Sequence, residues 1–568
     1  MIRTRLLSAV LISLAAACAS NTTFTPASPA SSPGAGELTR DEQARHVLNR
    51  LAFGPRPGEV ARVASMGVDK WIAWQLSPTS VSDAEAERLL SSLETQRKQA
   101  FELIADHPNP QEINQLFAMR RAAENGVVAA SNVTSPSDSA LLRRAATVVS
   151  QLSAQIRTAR TLRAVASERQ LLEVMTDFWE NHFSVYIGKS PNNYSIVEYD
   201  RDVIRPRALG KFRDLLGAVA KSPQMLYYLD NYQSSVDSLH PNVIEQRIEA
   251  RRQLASADPV AQAVSTMPRR RGRGLNENYA RELMELHTLG VDGGYTQTDV
   301  KEVARALTGW SLDTPQFGGS FVFRPEFHDA GEKVVLGQTL PAGRGIEDGE
   351  AVLDMLARAP ATAKFITTRL ARRFVSDDPP PALVSRCASV FTKSDGDIAA
   401  TVRCIVTSPE FFSRSAYRAK VKTPFELVTS IMRALGAEPD TTQRIAQMVS
   451  QLGQPIYGKQ TPDGWPERGD AWMNSGALLN RINLGIRVAS GQVPNIKLAM
   501  WPATARLTAL PREAQVDGVI EELLGSVSEE TRRILLSGEN PAAAKGPQLK
   551  GLPEIVGLAL GSPEFQRR

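Results

Sequence analysis

The chain has 568 residues, with 66 Lys and Arg against 61 Asp and Glu for a formal net charge of +5. So mild a basic balance excludes the electrostatic footprint of a nucleic-acid binder, and no nucleic-acid partner is expected. The length is ample for a large core, and alone it would suggest two or three domains.

Residues 1–17 read as a signal peptide. Arg3 and Arg5 form a positive start, Leu6 to Leu14 a short apolar run, and Ala15-Ala16-Ala17 the small residues that peptidase cleavage requires. The apolar run is far below the roughly 20 residues of a spanning helix, and nothing later is long and apolar enough to span. Cys18 directly after the alanines resembles a bacterial lipobox, with Leu14 one place further out than usual. Ordinary cleavage after Ala17 or Ala19 is the alternative. Lipidation of Cys18 would supply two lipid signals, enough for stable anchoring. Ala19 in place of Asp fits sorting to the outer membrane, facing the periplasm. Residues 18–37 then form a lipid-anchored disordered linker, because their Ser, Thr, Pro, Ala and Gly bury too little apolar surface to offset ordering. Removing residues 1–17 takes away two arginines and lowers the charge to about +3.

Residues 38–568 are expected to form a mainly α, large multi-helix domain with a small β-hairpin or irregular insertion near 320–340. Thr39 and Glu42 make a capping box for the first helix. Two short helical patterns lie between Val60 and Leu76, separated at Gly67, and Trp71 and Trp74 in the second share a face. Long helical patterns follow near 82–105, 112–125, 139–164 and 166–183. Residues 233–274 end in a run of arginines and read as a mobile basic loop. Asn276 caps a helix carrying Tyr279, Leu283 and Leu286 on its buried face, and Gly290 ends it with Val291 making the closing contact. Thr296 and Asp299 box a second helix lined by Val300, Val303, Ala304 and Leu307. FVFRPEF and KVVLGQTL are expected to pair across His328-Asp329-Ala330-Gly331. Cys387 and Cys404 flank a turn between two helical patterns and would stand nearly level, as a disulfide or as two buried thiols. Ser-Pro-Glu-Phe occurs at 408–411 and at 562–565, each copy a helix cap and first-turn proline.

Several runs together resemble one bacterial exported family, catalogued as domain of unknown function 1800. They are HVLNRLAFG (46–54), FWENHF (178–183), YDRDVIRP (199–206), NENYARELMELHTLG (276–290), ALTGW (306–310), FHDAGEK (327–333) and PDGWP (462–466). The resemblance implies one long, mostly helical exported domain and transfers no catalytic residues.

Four of the 6 histidines fall in these runs: His46, His182, His287 and His328. Imidazole and carboxylate are both divalent-metal ligands and acid–base groups at neutral pH. The catalytic candidates are His182, Glu282, His287, His328 and Asp329, and the metal candidates are Glu282, Glu285 and His328. Glu282 and Glu285 share a helix face, whereas His287 points elsewhere, and no Glu-x-x-His or His-Glu-x-x-His spacing occurs. The alternatives are an ion-pair ladder through Glu277, Arg281 and Glu285, a hydrogen-bonded core role for His182, and a loop-fixing role for His328-Asp329. Gly453 to Lys459 mimics a phosphate loop, but Gln460 stands where Ser or Thr would hold magnesium. The Pro- and Gly-rich run around it displays Tyr457, Asp463, Trp465 and Trp472, a binding-loop candidate for sugar rings or a partner's apolar surface. The alternative is that its tryptophans plug the core. Two functions follow: an envelope protein that binds a partner protein or surface polysaccharide, or an envelope hydrolase using a His/Glu/Asp metal or acid–base site.

Overall fold

The structure is a computed structural model that describes residues 37–125, 136–237, 242, 244, 246, 274–314, 318–439, 441–493, 496–538 and 549–568. The expected signal peptide, Cys18, nearly all of the linker and the arginine run of the basic loop lie outside the described residues. Leu38–Arg568 forms one compact unit. Among the described residues no helix is long and apolar enough to cross a membrane.

Local chemistry starts the helices where the side chains allow it. Thr39 accepts from Glu42 N, and Glu42 reaches back to Thr39 N, to open α1 (Arg40–Arg50). After four shorter α-helices, the first two being Glu59–Met66 and Val68–Gln75, come α2 (Pro110–Asn125), α3 (Pro136–Ala166) and α4 (Gln170–His182). The expected long helix at 82–105 is instead broken into Ala84–Leu90 and Ala100–Asp106. Ser91 and Ser92 turn their hydroxyls onto the carbonyls three residues back, which ends the first piece. Asn276 caps α5 (Glu277–Glu285), and the Thr296–Asp299 box opens α6 (Gln297–Ala306). Val291 does not close α5, for it is 71% exposed.

The strands correct the expected pairing. β1 (Trp310–Leu312) pairs antiparallel with β2 (Phe321–Phe323), and β3 (Lys333–Val335) with β4 (Gln338–Leu340). Leu336 and Gly337, both with positive φ, form the tight turn of the second hairpin. FVF and KVV therefore belong to separate two-stranded sheets.

Beyond the strands lie α7 (Pro360–Phe374), α8 (Pro381–Lys393), α9 (Ile398–Val406) and α10 (Pro424–Ala434). Cys387 on α8 and Cys404 on α9 are bridged, with Cα atoms 5.7 Å apart. Both Ser-Pro-Glu-Phe copies act alike: Ser408 caps Phe411 N and Ser562 caps Phe565 N. Near the C-terminus α11 (Ser475–Ala489) lies against α12 (Leu552–Gly561). A Cβ on Gly485 would stand 2.7 Å from the Gly557 carbonyl, so only glycine permits this approach. One hydrophobic cluster runs from Ala44 to Phe565 and includes Phe178 and Trp179 of α4.

Candidate functional site

Helix α4 reads QLLEVMTDFWENH, an apolar helix interrupted by acids. Phe178 and Trp179 bury fully, and the Trp179 indole donates to Ala208 O at 2.9 Å. That anchoring turns Asp177, Glu180 and Asn181 toward a cleft closed by Tyr457 and Trp465.

The cleft floor is a buried ion network. Arg160 of α3 places Nε 2.8 Å from Glu180 Oε2 and Nη2 3.0 Å from Asp177 Oδ1. Arg373 of α7 sits 2.9 Å from Asp177 and 3.0 Å from Glu426 of α10, which also pairs with Arg568 at 3.0 Å. Residues Tyr199–Ile204 form a π-helical turn that carries Asp200, and Arg205 follows it. Such turns recur at functional sites because they re-aim side chains. Arg205 joins Asp200 at 2.7 Å and also pairs with Glu173. The Tyr457 hydroxyl donates to Glu180 Oε1 at 2.9 Å and lies 3.5 Å from Asp200 Oδ2.

Two carboxyls under one hydroxyl do not share one fate. Burial raises the Glu180 pKa to about 8, with Arg160 opposing and the Asp200 charge adding to the rise. Burial also pushes on Asp200, but Arg205, Arg160 and Arg163 outweigh it and hold that carboxyl below its ordinary value. One member is thus a neutral acid near neutral pH and the other a carboxylate, the division that fits proton transfer. Burial lifts the Tyr457 hydroxyl well above its usual value, so it stays a donor.

The cleft rim is held by backbone. Asn181 Nδ2 donates to Trp465 O at 2.8 Å, and Trp465 N donates to Asn181 Oδ1 at 2.6 Å. Gly464 makes this possible with φ +73°, since a Cβ there would lie 2.2 Å from Asn181 O. Trp465 is half-buried, with Lys459 Nζ 5.5 Å from its ring centre and Trp472 at 6.1 Å. The cleft encloses a cavity of about 60 Å³. That is room for a few waters or one small protruding group, not for a whole sugar ring.

The sequence-based candidates divide into separate places. In the 457–472 loop, Asp463 is exposed, Trp465 rims the cleft, and Trp472 is buried with its indole on Pro466 O at 3.0 Å. Tyr457 points its hydroxyl into the floor rather than displaying it. His182 and His287 do meet: His182 Nε2 bonds the His287 carbonyl at 3.0 Å, and the rings lie 6.3 Å apart among Phe178, Phe183 and Phe365. Burial, with Arg369 adding, lowers His287 to about 3 and His182 well below its ordinary value. Both are neutral core imidazoles. Glu282 is half-buried and Glu285 accepts from the Tyr295 hydroxyl at 3.3 Å, apart from the imidazole of His287. Arg281 bonds Gln297, which bonds Glu277, so that link crosses to α6 instead of running up α5.

His328 and Asp329 fix a buried loop. His328 Nδ1 bonds Thr308 O at 2.7 Å, and Nε2 lies 3.4 Å from Asp348, which Lys333 approaches at 2.7 Å. Asp329 takes both arms of Arg305 at 2.7 and 3.1 Å. Among the described residues no group of three or more His, Cys, Asp or Glu could hold a metal ion. Arg160, Asp177, Glu180, Asp200 and Arg373 were not among the sequence-based candidates. The signal available was the pair Asp177 and Glu180, three apart on one face of α4.

Comparisons with known proteins give a family and no activity. No curated protein and no solved structure matches the chain. A family profile covers residues 46–567, nearly the whole helical body and every residue of the cleft floor except Arg568, and on that match the chain belongs to the family described as protein of unknown function, DUF1800.

Proposed function

We propose that the chain is an exported, lipid-anchored protein of the bacterial cell envelope that binds a surface polymer at the cleft between α4 and the 457–472 loop. The observation that carries the reading is the pairing of a clamped, half-exposed Trp465 with a polar floor whose arginines and carboxyls bond to one another. A neutralised polar surface beside an indole favours uncharged, hydroxyl-rich ligands: the ring stacks on a sugar face and no ion has to be stripped of water. The cavity limits what enters to a single substituent of such a polymer. Export and acylation rest on Arg3, Arg5, the apolar run and Ala15-Ala16-Ala17-Cys18.

Two experiments test the two halves. Residues 38–568 are titrated into polysaccharide isolated from the native envelope, and Trp465→Ala is expected to weaken binding at least about tenfold. Equal binding by the variant, or none by either protein, defeats the cleft reading. Labelled palmitate should enter the full chain and not Cys18→Ala; a variant that stays in the membrane fraction defeats the anchor.

Glu180 supports a second reading, hydrolysis of the bound polymer. A neutral carboxyl on the cleft can protonate a leaving oxygen, and the water that attacks in its place returns the proton to Glu180. Release of new reducing ends by the wild type, abolished in Glu180→Gln with binding retained, would establish it. Binding with no product leaves the first reading standing alone.

A further inference from the structure

Helices α2 and α3 form an antiparallel pair, with Arg120 Nη2 3.5 Å from Asp138 Oδ1 joining the end of one to the start of the other. The inner half of α3 is core: Leu152, Ile156, Ala159 and Leu162 are buried against neighbouring elements. Residues 137–151, about 20 Å of helix, are different, with Asp138 the one buried position. Large apolar side chains stand in solvent along this outer stretch. Leu116 is 62% exposed and Met119 67%, on one face of α2, and Leu141 on α3 is 46% exposed. An apolar surface left open at such a place marks a docking surface.

The charge says what docks. Arg143 and Arg144 are exposed, and neither has an ion-pair or side-chain hydrogen-bond partner among the described residues. From Ser139 to Ala166 the chain holds no Asp or Glu. Surface arginines such as Arg88, Arg386, Arg414, Arg468 and Arg533 are paired with a carboxylate, whereas Arg143 and Arg144 stand adjacent and unpaired on the helix that carries exposed Leu141. Free cations and exposed Leu and Met on one packed pair of helices form the pattern of helices that lie in a lipid headgroup layer, apolar side chains in the acyl boundary and guanidinium groups on phosphate. Asp138, the acid at the start of α3, is paired with Arg120, which leaves Arg143 and Arg144 to meet phosphate. We propose that the outer ends of α2 and α3 dock on an anionic lipid bilayer, independently of acylation at Cys18.

The test uses residues 38–568, the compact unit without Cys18, and vesicles of phosphatidylethanolamine with phosphatidylglycerol or of phosphatidylcholine alone. Co-sedimentation is expected with the anionic vesicles, weakening as salt is raised. Each arginine at the surface is worth about fivefold, so Arg143→Gln with Arg144→Gln should lower partitioning about 25-fold. Leu116→Ser with Met119→Ser should abolish what remains at high salt. All four positions are exposed, so the variants should keep the wild-type unfolding midpoint. No binding to anionic vesicles, equal binding to phosphatidylcholine, or binding untouched by either double variant overturns the proposal. So does self-association that depends on Leu116 and Met119 in the absence of lipid, which would assign the face to a second copy.

Discussion

Tyr457 and Glu180 lie 277 residues apart in the chain, and the tyrosine hydroxyl donates to the Glu180 carboxyl at 2.9 Å. That bond joins the 457–472 loop to the face of α4 and brings Asp200 to the same oxygen. It makes Glu180 a reporter of the cleft. Its folded pKa stands near 8 against about 4.3 in an unfolded chain. The folded state therefore holds the proton more tightly, and the contribution to stability is complete below about pH 4.3 and fades as pH rises toward 8. Urea unfolding midpoints across that window should fall in the wild type more than in Glu180→Gln. Parallel curves would show that Glu180 titrates as an ordinary exposed acid.

The histidine pair runs in the opposite direction. His287 titrates near 3 in the fold, and His182 also lies low, against about 6.5 unfolded. The unfolded chain gains protons first as pH drops, so stability is complete above about 6.5 and is lost on going down toward 3. His287→Phe, a ring of similar size in an aromatic cluster, should flatten the acid side of the pH–stability curve. An unchanged acid slope would mean that the imidazole is protonated within the fold.

Gly464 should tolerate no side chain. Gly464→Ala places a Cβ 2.2 Å from Asn181 O in a left-handed backbone, at a cost of more than about 2 kcal/mol. The clamp on Trp465 should loosen with it, seen as increased quenching of indole fluorescence by iodide. Wild-type stability and quenching in this variant would refute the clamp.

The Cys387–Cys404 bridge closes a short loop, a sequence separation of 17. Chain-entropy arguments assign such a loop about 3 kcal/mol. Cys387→Ala with Cys404→Ala should lower the unfolding free energy by about that amount, and a reducing agent should do the same to the wild type and nothing to the variant. Free thiols found by labelling in the non-reduced protein would contradict the bridge.

Much of the local structure was legible in the residues. The Thr39–Glu42 and Thr296–Asp299 boxes and the Asn276 cap act over three residues, so their chemistry is complete within the string that encodes it. The mainly helical class followed from the same short-range periodicity. The strand pairing was less legible, because Phe321 to Phe323 had two adjacent candidates and the choice depended on the turn at Leu336-Gly337.

The cleft belongs to the tertiary structure. Glu173, Asp177, Glu180, Asp200, Arg160, Arg205 and Arg373 look in sequence like ordinary charges on helix faces, and only folding removes their water and sets them against one another. Glu180 becomes a neutral acid because burial and the Asp200 charge outweigh Arg160, groups carried on separate elements. His182 and His287 show the converse, since residues typical of metal sites met as two uncharged rings in an apolar core. Caps and periodicity are determined by neighbours along the chain. Protonation state and ligand geometry are determined by neighbours in space, through dielectric and distance, and no spacing rule carries either.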